Sequence, residues 1–116
     1  MSPRSAGPAR LAQAAPVFAA LGDATRLGLV ARLSRRGPQS IAQLTSGAGV
    51  TRQAVTKHLD VLAGAGLVRD SWQGRERIWD LHPERLGEAR RYLDEISERW
   101  DAALGRLQAL VESESE

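Results

Sequence analysis

Arg52, Gln53, Thr56 and Lys57 stand close together in the chain. They carry guanidinium, amide, hydroxyl and ammonium groups, which bond to base edges and phosphates. Read as one helix, Thr51 to Leu62 places Ala54, Val55, Leu59 and Leu62 at spacings of one, four and three. That is an apolar stripe for a core, and the four polar residues point the other way. Gln53, Thr56 and Lys57 sit at i, i+3 and i+4 in the first two turns. An amide can pair with adenine and an ammonium with guanine, and a threonine methyl can touch the methyl of thymine. Arg52 suits a base or a phosphate. Thr51 reads as the N-cap, with a hydroxyl able to reach a phosphate. Taken alone, the stretch is equally an ordinary surface helix, so its neighbours must decide.

Those neighbours read as positioning elements. Ala9 to Leu21 is helical, with apolar Leu11, Ala14, Ala15, Phe18 and Leu21. Pro16 marks either the start of the main helix or a kink in a longer one. Gly22-Asp23 ends that helix and caps another, which runs to about Ser34 with Leu27, Val30, Ala31 and Leu33 inward. Arg35-Arg36-Gly37-Pro38 closes it, cations first and then two breakers. Ser40-Ile41-Ala42-Gln43 has the form of a capping box. Ser40 and Gln43 are therefore capping groups, with a phosphate contact open to them at a helix N-terminus. Ile41 and Leu44 point inward. The Gly-containing turn Ser46–Val50 leads to Thr51, so two helices joined by a tight turn make a helix-turn-helix pattern. After Gly64-Ala65-Gly66 the period changes. Residues 67–72 and 77–81 read as two strands around the turn Gln73-Gly74-Arg75-Glu76. This hairpin is a wing with Arg75 at its tip and Arg77 behind, suited to the negative potential of a narrow minor groove. Trp79 and Leu81 alternate on one strand face and belong to the core.

His82-Pro83-Glu84 opens the last helix. Leu86, Ala89, Leu93, Ile96, Trp100, Ala103, Leu107 and Leu110 follow at spacings of 3 and 4 in turn, a heptad stripe. From Leu86 to Leu110 it spans roughly 36 Å, too long for the small preceding domain to cover, and a second copy is the simple partner. Charge divides along the chain: residues 1–36 hold six arginines against one aspartate, and residues 82–116 hold five arginines against nine acids. A polyanion fits the first part.

Other chemistry is poorly supplied. There is no cysteine, which excludes disulfides, thiolate metal sites and a cysteine nucleophile. No paired acids, activated nucleophile or phosphate-cradling glycine loop appears, so no catalytic residue is assigned and no enzyme is expected. His58 borders the apolar stripe and reads as structural, and His82 reads as a turn residue. No apolar run approaches the roughly 18 residues of a membrane span, and no apolar signal core follows the N-terminus. A cytoplasmic protein without membrane contact is expected.

The order of helix, helix, helix-turn-helix, wing and terminal helix resembles the winged helix-turn-helix regulators of the ArsR/SmtB type. Phe18-Ala19-Ala20-Leu21-Gly22-Asp23-Ala24-Thr25-Arg26 is similar to that family's opening F-x-A-L-G/A-D-x-T-R. Val50–Leu59 is similar to its recognition helix, Leu62–Val68 to its exit L-x-x-A-G-L-V, and Gly74–Leu81 to its wing. The likeness covers about residues 16–83. It implies a homodimeric DNA-binding regulator, most often a repressor, whose first and last helices form the dimer interface. The family's metal sensors carry cysteines before the turn or Asp/His/Glu clusters on the last helix. Here the first place reads Ser40-Ile41-Ala42-Gln43-Leu44, and no histidine follows His82. No metal or other cofactor is expected, and the sequence specifies no small-molecule effector.

The expected fold is mainly α with a small β-hairpin: a winged helix-turn-helix of about five helices plus a two-stranded wing, homodimeric. Residues 1–8 form a flexible N-terminus and 9–82 the DNA-binding domain with the first dimerisation helix. Residues 83–112 form the C-terminal dimerisation helix and 113–116 an acidic tail. The expected contacts to double-stranded DNA are Thr51, Arg52, Gln53, Thr56, Lys57, Arg75, Arg77, Ser40 and Gln43. The expected dimer interface uses Phe18, Leu93, Ile96, Trp100, Leu104, Leu107 and Leu110. The competing reading is a winged-helix protein-interaction module without sequence-specific DNA binding.

Overall fold

The computed structural model describes residues 8–114. Its elements are α1 (Pro8–Leu21), α2 (Ala24–Arg36), β1 (Gln39–Ser40), α3 (Ile41–Thr45), α4 (Arg52–Gly64), β2 (Val68–Gln73), β3 (Glu76–Leu81) and α5 (Pro83–Glu114). Of the expected loose segment 1–8, residues 1–7 lie outside the described residues, as do the last two residues of the acidic tail. Pro8 opens α1, and Ser113 and Glu114 belong to α5. Helix α1 runs through Pro16 without a break, so the longer of the two helices left open by the sequence is the one formed.

One core joins all these elements. Val17 and Ala20 enter it from α1, Leu29, Val30 and Leu33 from α2, and Ile41 and Leu44 from α3. Val55, Leu59 and Leu62 of α4 are wholly buried in it, as is Leu67, and Trp79 closes it from β3. The phase of α2 departs from expectation. Leu27 faces outward at 52% exposure, and Leu29 is buried instead. Both phases look alike in the sequence because leucines stand at 27, 29 and 33. Packing against α1 and α4 selects the face containing Leu29.

The helix ends are set by local chemistry. The Arg26 backbone N–H donates to Asp23 Oδ2 at 2.9 Å, and that bond holds the Asp23 carboxyl below its ordinary pKa. The cap therefore contributes stability above the ordinary carboxylate range and loses it as acid protonates the folded-state group. Around α3 both halves of the capping box form: the Gln43 N–H donates to Ser40 Oγ at 3.2 Å, and the Ser40 N–H donates to Gln43 Oε1 at 2.9 Å. Helix α4 ends in a Schellman motif. The Leu67 N–H donates to Leu62 O and the Gly66 N–H to Ala63 O, each at 2.9 Å. Gly66 has φ +78° there, a conformation that glycine adopts without steric cost.

The sheet has one strand more than expected. Short β1 pairs antiparallel with β3 through Gln39–Trp79 and Ser40–Ile78, giving the order β1-β3-β2. The two-stranded wing is thus part of a three-stranded sheet. Two residues are too few to show a period of two, so β1 leaves no pattern in the sequence. The wing itself keeps the expected register, from Val68 opposite Leu81 to Gln73 opposite Glu76. Gly74 turns the hairpin with φ +65°, as the first residue of a two-residue loop must in a type II′ turn.

Helix α5 leaves this body. At 32 residues it is about 48 Å long. Ala89 is buried and Leu86 packs against the core, but from Leu93 onward most of the large apolar side chains are exposed. The chain measures 70 × 37 × 20 Å, with a radius of gyration of 19.4 Å, against about 13 Å for a compact domain of this length. Among the described residues no single helix is long and apolar enough to cross a membrane.

Arg32 fastens the helix-turn-helix to α2. Its guanidinium donates to Leu44 O at 2.9 Å, Ser46 O at 2.9 Å and Gln43 O at 2.8 Å. Those carbonyls form the C-terminal end of α3, where a cation is favoured. Arg32→Met keeps the aliphatic stem and removes the three bonds. We expect it to lower the unfolding free energy in urea by about 1.5–3 kcal/mol. An unchanged midpoint would show that water replaces the clamp without cost.

Candidate nucleic-acid interface

Burial of Val55, Leu59 and Leu62 fixes the rotation of α4 and leaves Arg52, Gln53 and Lys57 exposed. Among the described residues these three side chains have no hydrogen-bond or ion-pair partner. Thr51 is the N-cap, its Oγ1 accepting from the Ala54 N–H at 3.1 Å. The Thr56 hydroxyl donates to Arg52 O at 3.0 Å. Its proton is thereby used within the helix, and the methyl group remains for an apolar contact.

The wing stands across from this face. Between them lies a cleft of about 310 Å³, lined by Ser40 of β1, Ile41 and Ala42 from α3, Arg52 and Thr56 from α4, and Trp72, Arg75, Glu76 and Arg77 from the wing. Chain folding thus brings Ser40, Arg52, Thr56, Arg75 and Arg77 around one space. Gln43 lines a different cleft, beside α2.

The two wing arginines differ. Arg75 is exposed at the hairpin tip with no partner among the described residues. Arg77 donates from Nε to Asp70 Oδ2 and lies over the Trp79 ring, 4.7 Å from its centroid. Asp70 offsets the charge of Arg77, and Arg77 braces the wing as well as facing the cleft. Ser40 is only 4% exposed, and its Oγ is occupied in the α3 cap. Its place in the site is that of a support for α3.

Trp72 is 67% exposed on the cleft wall. It shares a strand face with Asp70, opposite Arg77 and Trp79. Trp79, at the base of the sheet, meets the core, whereas Trp72, nearer the tip, extends past it. Only the length of the hairpin relative to the body separates the two indoles, and no local pattern carries that information. His58 Nδ1 lies 3.9 Å from Asp23 Oδ2, too far for a hydrogen bond. Among the described residues no group of three His, Cys, Asp or Glu is placed to hold a metal ion.

A polar helix face held by a capped short helix, a tight turn and a basic wing defines a winged helix-turn-helix DNA-binding protein. A helix-turn-helix domain family model matches residues 21–70. The chain is 38% identical over 97 residues to the HTH-type transcriptional regulator Rv2034 of Mycobacterium tuberculosis, covering 84% of this chain and 87% of the relative. It is 30% identical over 95 residues to the arsenical resistance operon repressor of Escherichia coli, covering 82% and 79% of the two chains. Among solved structures, an ArsR-like transcriptional regulator from Rhodococcus sp. RHA1 superposes with a TM-score of 0.73 at 36% identity, over 86% of this chain and 93% of that one. The chain belongs to the ArsR family of winged helix-turn-helix transcriptional regulators. Regulation of transcription, not catalysis, is its activity.

Trp72 offers a direct optical test of the cleft. In a Trp100→Phe background, the remaining indoles are exposed Trp72 and buried Trp79. Saturation with duplex DNA should quench the emission and shift it to the blue. A spectrum unchanged at saturation would place the DNA away from the cleft.

Proposed function

We propose that the chain acts as a homodimeric repressor that reads an inverted-repeat operator. The observation that carries this reading is the α4 face, where Arg52, Gln53 and Lys57 are exposed without partners among the described residues. Gln53, Lys57 and the Thr56 methyl read base edges from the major groove, and Arg52 reads a base or clamps a phosphate. Thr51 holds the helix N-terminus and offers a phosphate contact. Arg75 enters the adjacent minor groove or grips its phosphates. Arg77 stiffens the wing and adds positive potential to the cleft. Ser40 and Gln43 orient α3 through their mutual cap.

Association follows from α5. Leu93, Trp100, Leu104, Leu107, Leu110 and Val111 are all 51–62% exposed, and together they make one apolar stripe along the projecting part of the helix. Water contact along such a stripe is costly at roughly 25 cal/mol per Å² of apolar surface. A second copy of α5 covers it most simply, because a two-fold interface needs only one self-complementary patch. Ile96 borders the stripe half-buried. Phe18 gives part of its surface to Tyr92 of its own chain, with ring centroids 6.4 Å apart, and offers the rest to the partner. The dimer then presents two α4 helices to half-sites about 34 Å apart. Repression is supported by the likeness to the Escherichia coli relative, an arsenical resistance operon repressor. Such a regulator works in the cytoplasm, where the DNA is.

Fluorescence anisotropy with a duplex from the chain's own upstream region tests specific binding, with a scrambled duplex as control. Gln53→Ala should narrow the preference for the operator by an amount on the order of 1–3 kcal/mol. Arg75→Ala should weaken both duplexes alike and flatten the salt dependence. Identical behaviour of the two variants would remove the division between reading and anchoring. Separately, Leu107→Glu should give monomers in sedimentation equilibrium with the melting transition of the domain retained. A variant that stays dimeric would mean that α5 does not hold the subunits together.

A further inference from the structure

A second basic cleft lies along α3. Ile41 and Ala42 line the cleft beneath the wing, whereas Gln43 and Ser46 line this one, together with Arg32, Arg35 and Arg36 of α2 and Gln39 of β1. Its volume is about 500 Å³, and no carboxylate lines it. Arg32 is committed to three carbonyls of α3 and its turn. Arg35 and Arg36 are exposed, with no hydrogen-bond or ion-pair partner among the described residues. Two cations in the last turn of α2 complement the helix dipole, which accounts for their place on the helix. It does not account for their convergence on an open space free of acids.

A second observation marks the same space. Gln39 is 6% exposed, and its Oε1 is buried without a partner. That oxygen only accepts and has no exposed surface, so it offers a phosphate nothing. The amide nitrogen is not among the buried unpaired atoms, and its N–H groups are the donors that Gln39 can give to the cleft it lines. The cleft thus combines two free guanidiniums with the N–H donors of one amide.

The position fits a particular occupant. In a helix-turn-helix the second helix enters the major groove while the first crosses the DNA backbone. Here α3 is the first helix, so the strand leaving the α4 contact passes along its flank. We propose that the Arg35–Arg36 cleft is a second phosphate anchor that grips the DNA backbone beside each half-site. Guanidinium forks bind phosphate oxygens bidentately with charge assistance, and Gln39 contributes an N–H to the same phosphate. This anchor adds affinity without sequence preference and lengthens the protected site. It rests on the DNA-binding reading above and adds residues to which that reading gives no role.

The test uses the full-length dimer and the double variant R35Q/R36Q, whose melting temperature and sedimentation are checked first. The probes are the upstream duplex and its scrambled control, titrated across a range of KCl. Affinity for both should fall by a similar factor, about tenfold, and the slope of log affinity against log salt should drop by about two per protomer. Phosphate ethylation interference should mark backbone positions outside the bases read by α4 for the unmodified protein, and those marks should vanish for R35Q/R36Q. An unchanged salt slope with unchanged marks overturns the proposal, as does an affinity loss that comes only with a lowered melting temperature. Loss of an acidic protein partner with DNA binding intact overturns it in favour of a protein-docking role. If the unmodified protein shows no salt-sensitive binding to either duplex, the DNA-binding reading fails too. If it binds and R35Q/R36Q binds equally, only the second anchor is lost.

Discussion

Everything in this molecule is arranged around the dry side of α4. Val55, Leu59 and Leu62 have no exposed surface, and each contributes about 1.5–3 kcal/mol by leaving water. Once those three are inward, the rotation of the helix is fixed. Arg52, Gln53 and Lys57 then have no route to the core and no partner among the described residues. The recognition face is thus a consequence of burial on the opposite side. A side chain that is to read a base must not be satisfied at home, and the core enforces this at three positions together.

Holding such a helix in one orientation needs constraints at both ends. At its start the turn from α3 is short, and Arg32 ties the carbonyls of α3 and the turn back to α2. At its end the Schellman motif directs the chain into β2, with Leu62 and Leu67 buried together. The sheet then returns to α3 through β1, so the wing and the first helix of the pair share one support. Recognition helix, first helix and wing therefore keep fixed relative positions, which is what lets several weak contacts act on one stretch of DNA.

Much of this was legible in the chain because the signals are local. The caps at Asp23, Ser40 and Thr51 involve residues three apart, and all three form as the sequence predicts. The stripe of α4 and the turn at Gly74 are likewise set within a few residues. The features that were not legible depend on distant partners. Leu27 and Leu29 offered α2 two equivalent phases until α1 and α4 packed against it. Trp72 and Trp79 share a strand face, and only distance from the body makes one a wall of the cleft and the other core. Arg77 looked as free as Arg75 because Asp70 meets it only across the hairpin.

The sequence by itself determined the kinds and order of the elements, the two sides of α4 and the apolar stripe of α5. These follow from periodicity and capping, which are properties of neighbours in the chain. Tertiary structure decided which polar residues remain free. It enlisted Arg32 as a clamp, paired Arg77 with Asp70 and left Arg35 and Arg36 facing an open cleft. The physical reason is that a charged group is defined by what it can reach in space. Residues 11 to 14 positions from Arg32 became its partners, and no spacing rule along the chain specifies which of several arginines will find such carbonyls.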